Sequence, residues 1–304
     1  MPNIRIVLVI FLGIVSSLVS AQQKSDKGYS PSITTPSITG VSAPRIMIDE
    51  KHRNGHTRKG KFLGFSRLLE ANGYTLESGK KSFNPSLLNE VDVLVVANAK
   101  RSSKRSVSAF NETEIGVLTE WVKAGGSLLL IADHSPYPAF ASNLASAFGF
   151  KLINGIAYGS KKQKGRYRFE AVKGSLDASS FLYIDPTLGE KATFMTFTGS
   201  AFVPPSGATN VLKFGADSWV ALVQDGDFKA VKTAEKYPIN GLSQGALLKF
   251  GDGKVALFGE AAAFTAQKNG KRKMGLHAPG AEGNEAFVLA LMRWLTSKNR
   301  NSLG

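Results

Sequence analysis

The sequence predicts an α/β fold: a doubly wound, mostly parallel sheet with a β-rich extension. Three observations carry this. The runs at 91–97 and 127–132 are almost wholly apolar and rich in Val, Leu and Ile, the mark of strands covered on both faces. Stretches with helical spacing alternate with such runs from residue 45 to residue 132. Beyond residue 151 the helical spacing fades and short strand-like pieces take over.

Taken in order, Ile46-Met47-Ile48 is a short apolar strand followed by Asp49. Phe62, Phe65, Leu68 and Leu69 then recur at helical spacing, and Asn72-Gly73 ends that helix. Residues 74–76 suggest a second strand and 91–97 a third. Asn111 is a predicted N-cap with Glu114 three residues on, ahead of a face carrying Ile115, Leu118, Trp121 and Val122. Gly125-Gly126 stops this helix before the strand at 127–132, and residues 139–148 read as the next helix. Strand-like pieces follow at 193–197, 211–214 and 219–223. Runs at 245–250 and 254–258 flank Gly251-Asp252-Gly253, a strong hairpin signal. A last helix shows Phe287, Leu291, Trp294 and Leu295 on one face.

The 304 residues, 43% of them hydrophobic, suffice for a full core. Arg5, the apolar run 6–15 and the small residues Val19-Ser20-Ala21 read as a signal peptide over 1–21. Residues 22–43, rich in Ser, Thr, Pro and Gly, read as a flexible leader. A single domain is expected over 44–298, with a β-rich insertion at about 151–245 and a tail at 299–304. No second stretch is long and apolar enough to span a membrane, so an exported, periplasmic or secreted protein is expected.

There is no cysteine, which removes disulfides, thiolate ligands and a thiol nucleophile. The formal net charge is +15. Basic runs lie at 161–166 and 268–273, flanked by glycine. Such a surface favours acidic polysaccharide or an anionic envelope; neither run matches a nucleic-acid-binding motif, so no nucleic acid partner is expected. No Gly-x-Ser-x-Gly elbow surrounds Ser66, Ser127 or Ser135, and no phosphate-binding glycine loop follows the first strand.

The polar residues at predicted strand ends carry the chemistry. His52 and His56 follow Asp49-Glu50, His134 follows Asp133, and Glu260 follows the 254–258 strand. In a parallel sheet these ends meet at one rim, where ligands bind. Two chemistries fit. In acid/base hydrolysis Asp133 would be nucleophile or base, His134 and His52 acid/base groups, and Glu260 their orienting partner. Alternatively His and carboxylate would ligate a divalent metal, although the spacing matches no compact metal motif. Apart from that possible metal, no cofactor is expected.

The motifs at 49–57, 131–134, 196–202, 258–267 and 284–295 together resemble the DUF4350 family of the class I glutamine amidotransferase-like superfamily. The resemblance covers most of the chain and implies a flavodoxin-like sheet. Family amidotransferases place a cysteine on a sharp turn after a central strand; the corresponding turn here is Ala132-Asp133-His134, so Cys-dependent glutamine hydrolysis is excluded. Sugar-associated relatives imply a carbohydrate connection. On these motifs and the Gly-rich loop at 277, Asp49, Glu50, Asn54, His56, Thr198, Ser200, Gln267, His277 and Asn284 are expected to bind a small molecule or a glycan, possibly anionic. The alternative is a non-catalytic glycan-binding or envelope scaffold protein of the same fold.

Overall fold

The computed structural model describes residues 23–33, 35–39, 42–101, 103, 107–159, 166–182, 188–189, 191–223 and 225–297. Residues 1–21, read above as a signal peptide, the tail expected at 299–304 and the basic residues 161–165 lie outside the described residues.

The elements run β1 (Lys24–Ser25), β2 (Arg45–Asp49), α1 (Leu63–Ala71), β3 (Thr75–Gly79), α2 (Pro85–Leu88), β4 (Val93–Ala97), α3 (Glu112–Lys123), β5 (Ser127–Ile131), α4 (Tyr137–Ala147), β6 (Lys151–Leu152), β7 (Ile156–Tyr158), β8 (Tyr167–Glu170) and α5 (Ser179–Leu182). They continue with β9 (Thr193–Thr196), β10 (Phe202–Val203), β11 (Thr209–Lys213), β12 (Trp219–Ala221), β13 (Lys236–Pro238), β14 (Ser243–Phe250), β15 (Gly253–Phe258), β16 (Ala266–Asn269), β17 (Arg272–Gly275) and α6 (Asn284–Thr296).

A nine-stranded sheet holds the molecule together, in the order β3-β2-β4-β5-β15-β14-β10-β6, with β11 also paired to β14. The stretch from β3 to β15 is parallel. Beyond it, β14, β10, β6 and β11 pair antiparallel. The sheet is therefore mixed, not mostly parallel. The reason lies in the Gly251-Asp252 turn: a tight hairpin joins only antiparallel strands, so β14 had to run against β15. Part of the predicted β-rich insertion thus extends the main sheet, while β13-β12-β7 and β8-β9 form small sheets of their own.

Alternate strand residues feed two cores. Ile46, Ile48, Val93, Val95, Leu129 and Ile131 pack with Phe65 and Leu68 of α1 and Phe287 and Leu291 of α6. Met47, Leu94, Val96, Leu128 and Leu130 pack with Leu118 and Val122 of α3 and Leu144 of α4. Both faces being covered explains the apolar runs. The predicted Asn111–Glu114 capping box is present, with Asn111 accepting from the Glu114 amide and Glu114 from the Asn111 amide.

The leader expected to be flexible is tied down over part of its length. β1 pairs with β16, Tyr29 is buried and donates to Glu285 Oε1 at 2.6 Å, and Asp26 bonds Lys268 and His277. Its small polar composition conceals these few anchoring side chains. Among the described residues no helix is long and apolar enough to cross a membrane.

Candidate functional site

The register puts the carboxyl ends of β4, β5 and β15 side by side, with Ala97 opposite Ile131 and Ile131 opposite Phe258. The next residues on each strand are polar: Asn98, Asp133 after Ala132, and Glu260 after Gly259. In strand order the parallel half reverses direction between β2 and β4, the switch point at which such sheets bind ligands.

Asp133 is buried. Its amide donates to Asn98 Oδ1 at 2.9 Å; its Oδ1 accepts from the His134 amide at 2.7 Å, and its Oδ2 from the Ala261 amide at 3.3 Å. Glu260 lies in the wall beside it, with Oε1 and Oε2 accepting from the Ala262 and Ala263 amides at 3.1 and 2.7 Å. Burial, then the charge of Asp133, push the Glu260 carboxyl well above the usual carboxylate range. The structure thus brings Asp133, His134 and Glu260 together.

Asn98 joins this group to His56. With Oδ1 committed to Asp133, its Nδ2 donates to His56 Nδ1 at 3.2 Å, so His56 carries its proton on Nε2. Burial, followed by the positive charges of Lys61, His134 and Lys100, pushes His56 down to about 3. It is a neutral structural imidazole. Asn98 holds this double bond from a left-handed backbone, φ +53°, a conformation asparagine tolerates better than most residues.

His134 is half-buried. A carbonyl only accepts, so its Nδ1–H donates to Ser135 O at 2.8 Å, and among the described residues Nε2 has no hydrogen-bond partner. Tyr137 and Phe228 set their rings edge-on to the imidazole at 6.0 and 4.9 Å. Burial, then Asp133, raise the Tyr137 hydroxyl above its ordinary value.

His52 belongs to a different group. Its Nδ1 meets Asp49 Oδ2 at 2.9 Å and its Nε2 meets Glu114 Oε1 at 3.1 Å, while Phe83 and Phe110 flank the ring at 4.7 and 4.8 Å. Burial opposes its charge, but the Asp49 hydrogen bond and the two carboxylates outweigh it and the net shift is upward. His52 lines an open cleft of about 640 Å³ with Lys51, Lys100, Phe110 and Asn143. The expected rim therefore holds two hydrogen-bonded groups, one around Asp133 and one around His52.

The remaining expected residues make hydrogen bonds within the protein. Glu50 accepts from the Arg58 amide and the Ser78 hydroxyl. Asn54 is buried, its Nδ2 at 3.5 Å from Ala97 O. Ser200 donates to Ala132 O; Thr198 O accepts from Gln244. Gln267 bonds Thr265. His277 bonds Asp26 at the N-terminal segment. Asn284 clasps both the amide and the carbonyl of Met195 at 2.8 Å. Residue type and motif membership could not tell such internal hydrogen bonding from ligand binding. Sequence reasoning missed Asn98, Tyr137 and Phe228; Asn98 carried a usable signal, being polar directly after a buried strand, as Asp49 is at the end of β2.

Among the described residues no cluster of three or more His, Cys, Asp or Glu side chains is placed to hold a metal ion. No family model and no curated protein matches the chain. Solved structures do. The chain resembles the mmIFT52 N-terminal domain with a TM-score of 0.59 and 15% identity, over 84% of this chain and 98% of that one; this supports the fold alone. A ThuA-like protein from Bacteroides uniformis matches with a TM-score of 0.43 and 10% identity, over 87% and 97%. The exo-β-1,4-mannosidase Op5Man5 from Opitutaceae bacterium strain TAV5 matches with 0.44 and 14%, over 84% of this chain but only 37% of its own.

Proposed function

We propose that this is an exported, hydrolase-like protein of carbohydrate processing, of the DUF4350 type within the amidotransferase-like superfamily, working at the Asp133–His134 turn. One observation carries the reading: a half-buried imidazole whose Nε2 has no hydrogen-bond partner among the described residues belongs to the residue that directly follows a buried carboxylate, and two main-chain amides fix that carboxylate's orientation. His134 Nε2 takes or gives the proton of the attacking water or leaving group. Asp133 supplies the negative charge that stabilises the imidazolium then formed. Glu260 is too buried to touch substrate and acts through Asp133, whose charge, after burial, raises the Glu260 carboxyl above the usual carboxylate range. Tyr137 and Phe228 offer ring edges and a hydroxyl, a setting suited to a sugar's mixed apolar and hydroxylated surface.

The test is a screen of glycosides and sugar esters with wild type, Asp133→Asn and His134→Gln. Turnover should fall by at least about a hundredfold in both variants, with thermal midpoints close to wild type for His134→Gln. Wild-type rates in His134→Gln would reject the assignment.

A further inference from the structure

The basic run at 268–273 lies on one ribbon together with Lys24, from the far end of the chain. β1, β16 and β17 form a three-stranded antiparallel sheet in which Lys24 stands opposite Lys268 and Lys268 opposite Lys273. Directly opposed residues share a face, so three lysines form one exposed row across the ribbon. Arg272 and Lys271 are exposed at its turn, and Arg166, from the other basic run, lies close enough to Arg272 for their charges to repel and stacks on Phe197 at 5.8 Å. Only Lys268 of the row has an ion pair among the described residues, with Asp26 at 3.0 Å. Like charges facing each other across strands destabilise a sheet; a ribbon that keeps this arrangement is built to meet anions.

We propose that the β1-β16-β17 ribbon is a docking surface for an acidic polysaccharide. Its cations are spaced by the strand separation, about 4.8 Å, and a polyuronate offers them one carboxylate on every sugar of an extended chain. Duplex DNA presents charge far more densely, about one per 1.7 Å of axis, and the ribbon carries no element that enters a groove. An anionic lipid surface would be held by apolar side chains inserted beside the cations, and the exposed large apolar residues, such as Val107, Val172 and Phe228, lie off the ribbon. Strand β16 of the ribbon starts six residues after Glu260. The proposal stands independently of any hydrolytic activity.

The test measures binding of the full chain to polygalacturonate, with a neutral glucan, phosphatidylglycerol vesicles and duplex DNA as comparisons. Wild type should bind polygalacturonate, and the affinity should fall steeply between about 50 and 200 mM salt. The variant Lys24→Gln/Lys271→Gln/Arg272→Gln/Lys273→Gln should lose roughly tenfold or more in affinity and show a shallower salt slope. Its thermal midpoint should equal or exceed that of wild type, because repulsion across the row is relieved. A charge-keeping Lys24→Arg/Lys273→Arg variant should bind like wild type. The proposal is overturned by absent polygalacturonate binding at low salt, by unchanged binding in the Gln variant, or by tighter binding to the vesicles or the DNA.

Discussion

His56 offers a quantitative check on the interior of the site. Burial, reinforced by electrostatic repulsion from Lys61, His134 and Lys100, holds its pKa at about 3, against 6.5 for a free imidazole. Between those values the unfolded chain binds a proton that the folded chain refuses. Stability therefore rises with pH across this window and is lost as pH falls below about 6.5, at up to about 1.4 kcal/mol per pH unit. Going from pH 6.5 to pH 5 should cost about 2 kcal/mol, or about 4–8 °C in melting temperature. Two other groups slope the opposite way. His52 is raised, so its contribution is complete below 6.5 and fades as pH climbs through its folded value. Glu260 is raised as well, so its charge costs stability as pH rises above the usual carboxylate range. The variant His56→Asn isolates the effect, since it sets a carbonyl oxygen where Nδ1 now accepts from Asn98 but cannot take a proton. It loses ring contacts with Phe62, a cost independent of pH. Urea denaturation of both proteins from pH 4.5 to 8 should give a stability difference that shrinks as pH falls from 6.5 to 5. Parallel curves over that range would refute a buried neutral His56.

Asn284→Ala strips the Met195 amide and carbonyl of their clasp and should cost about 2–4 kcal/mol in denaturant unfolding, while the turnover of the surviving folded protein stays near wild type. Glu114→Gln removes one of the two charges that hold His52 protonated; the His52 resonance should titrate at lower pH by NMR, and an unchanged titration would mean that Asp49 alone sets it. Gly199→Ala should fail to yield soluble protein, because at φ +116° its new Cβ would stand 2.2 Å from Gly259 O.

Much of the parallel half was legible in the sequence because burial on both faces writes itself as unbroken apolar runs, and because Asn111 and Glu114 announce the start of α3 by a local hydrogen-bond pattern. In the antiparallel half the strand read at 211–214 overlaps β11 and the Gly251-Asp252 turn dictates direction, but β6 and β10, two residues each, are too short to carry a period. Tertiary partners explain the site's mixed outcome. Asp133, His134 and Glu260 follow adjacent strands, so strand order alone unites them. Ser200 and Asn284 look equally polar and are spent on carbonyls and an amide of distant segments that no spacing rule reveals, while Gln267 bonds the hydroxyl of Thr265 two residues before it. Tyr29 anchors a segment whose composition reads as a linker.

Two histidines sit beside carboxylates at this rim, and their bonding decides which can do acid/base work. His52 has both ring nitrogens committed, one to Asp49 and one to Glu114, and two phenylalanines close its faces. Taking its proton would leave two buried carboxylates without their shared cation, and breaking a buried pair of this kind costs about 3–5 kcal/mol. His52 therefore works as a clamp that ties α3, through Glu114, to the loop after β2. His134 commits only Nδ1, to a neutral carbonyl. Protonating its Nε2 breaks no hydrogen bond among the described residues. A proton can cycle on His134 at little structural cost and cannot on His52, so a His52→Gln variant should lose stability, whereas His134→Gln should lose turnover with its fold intact.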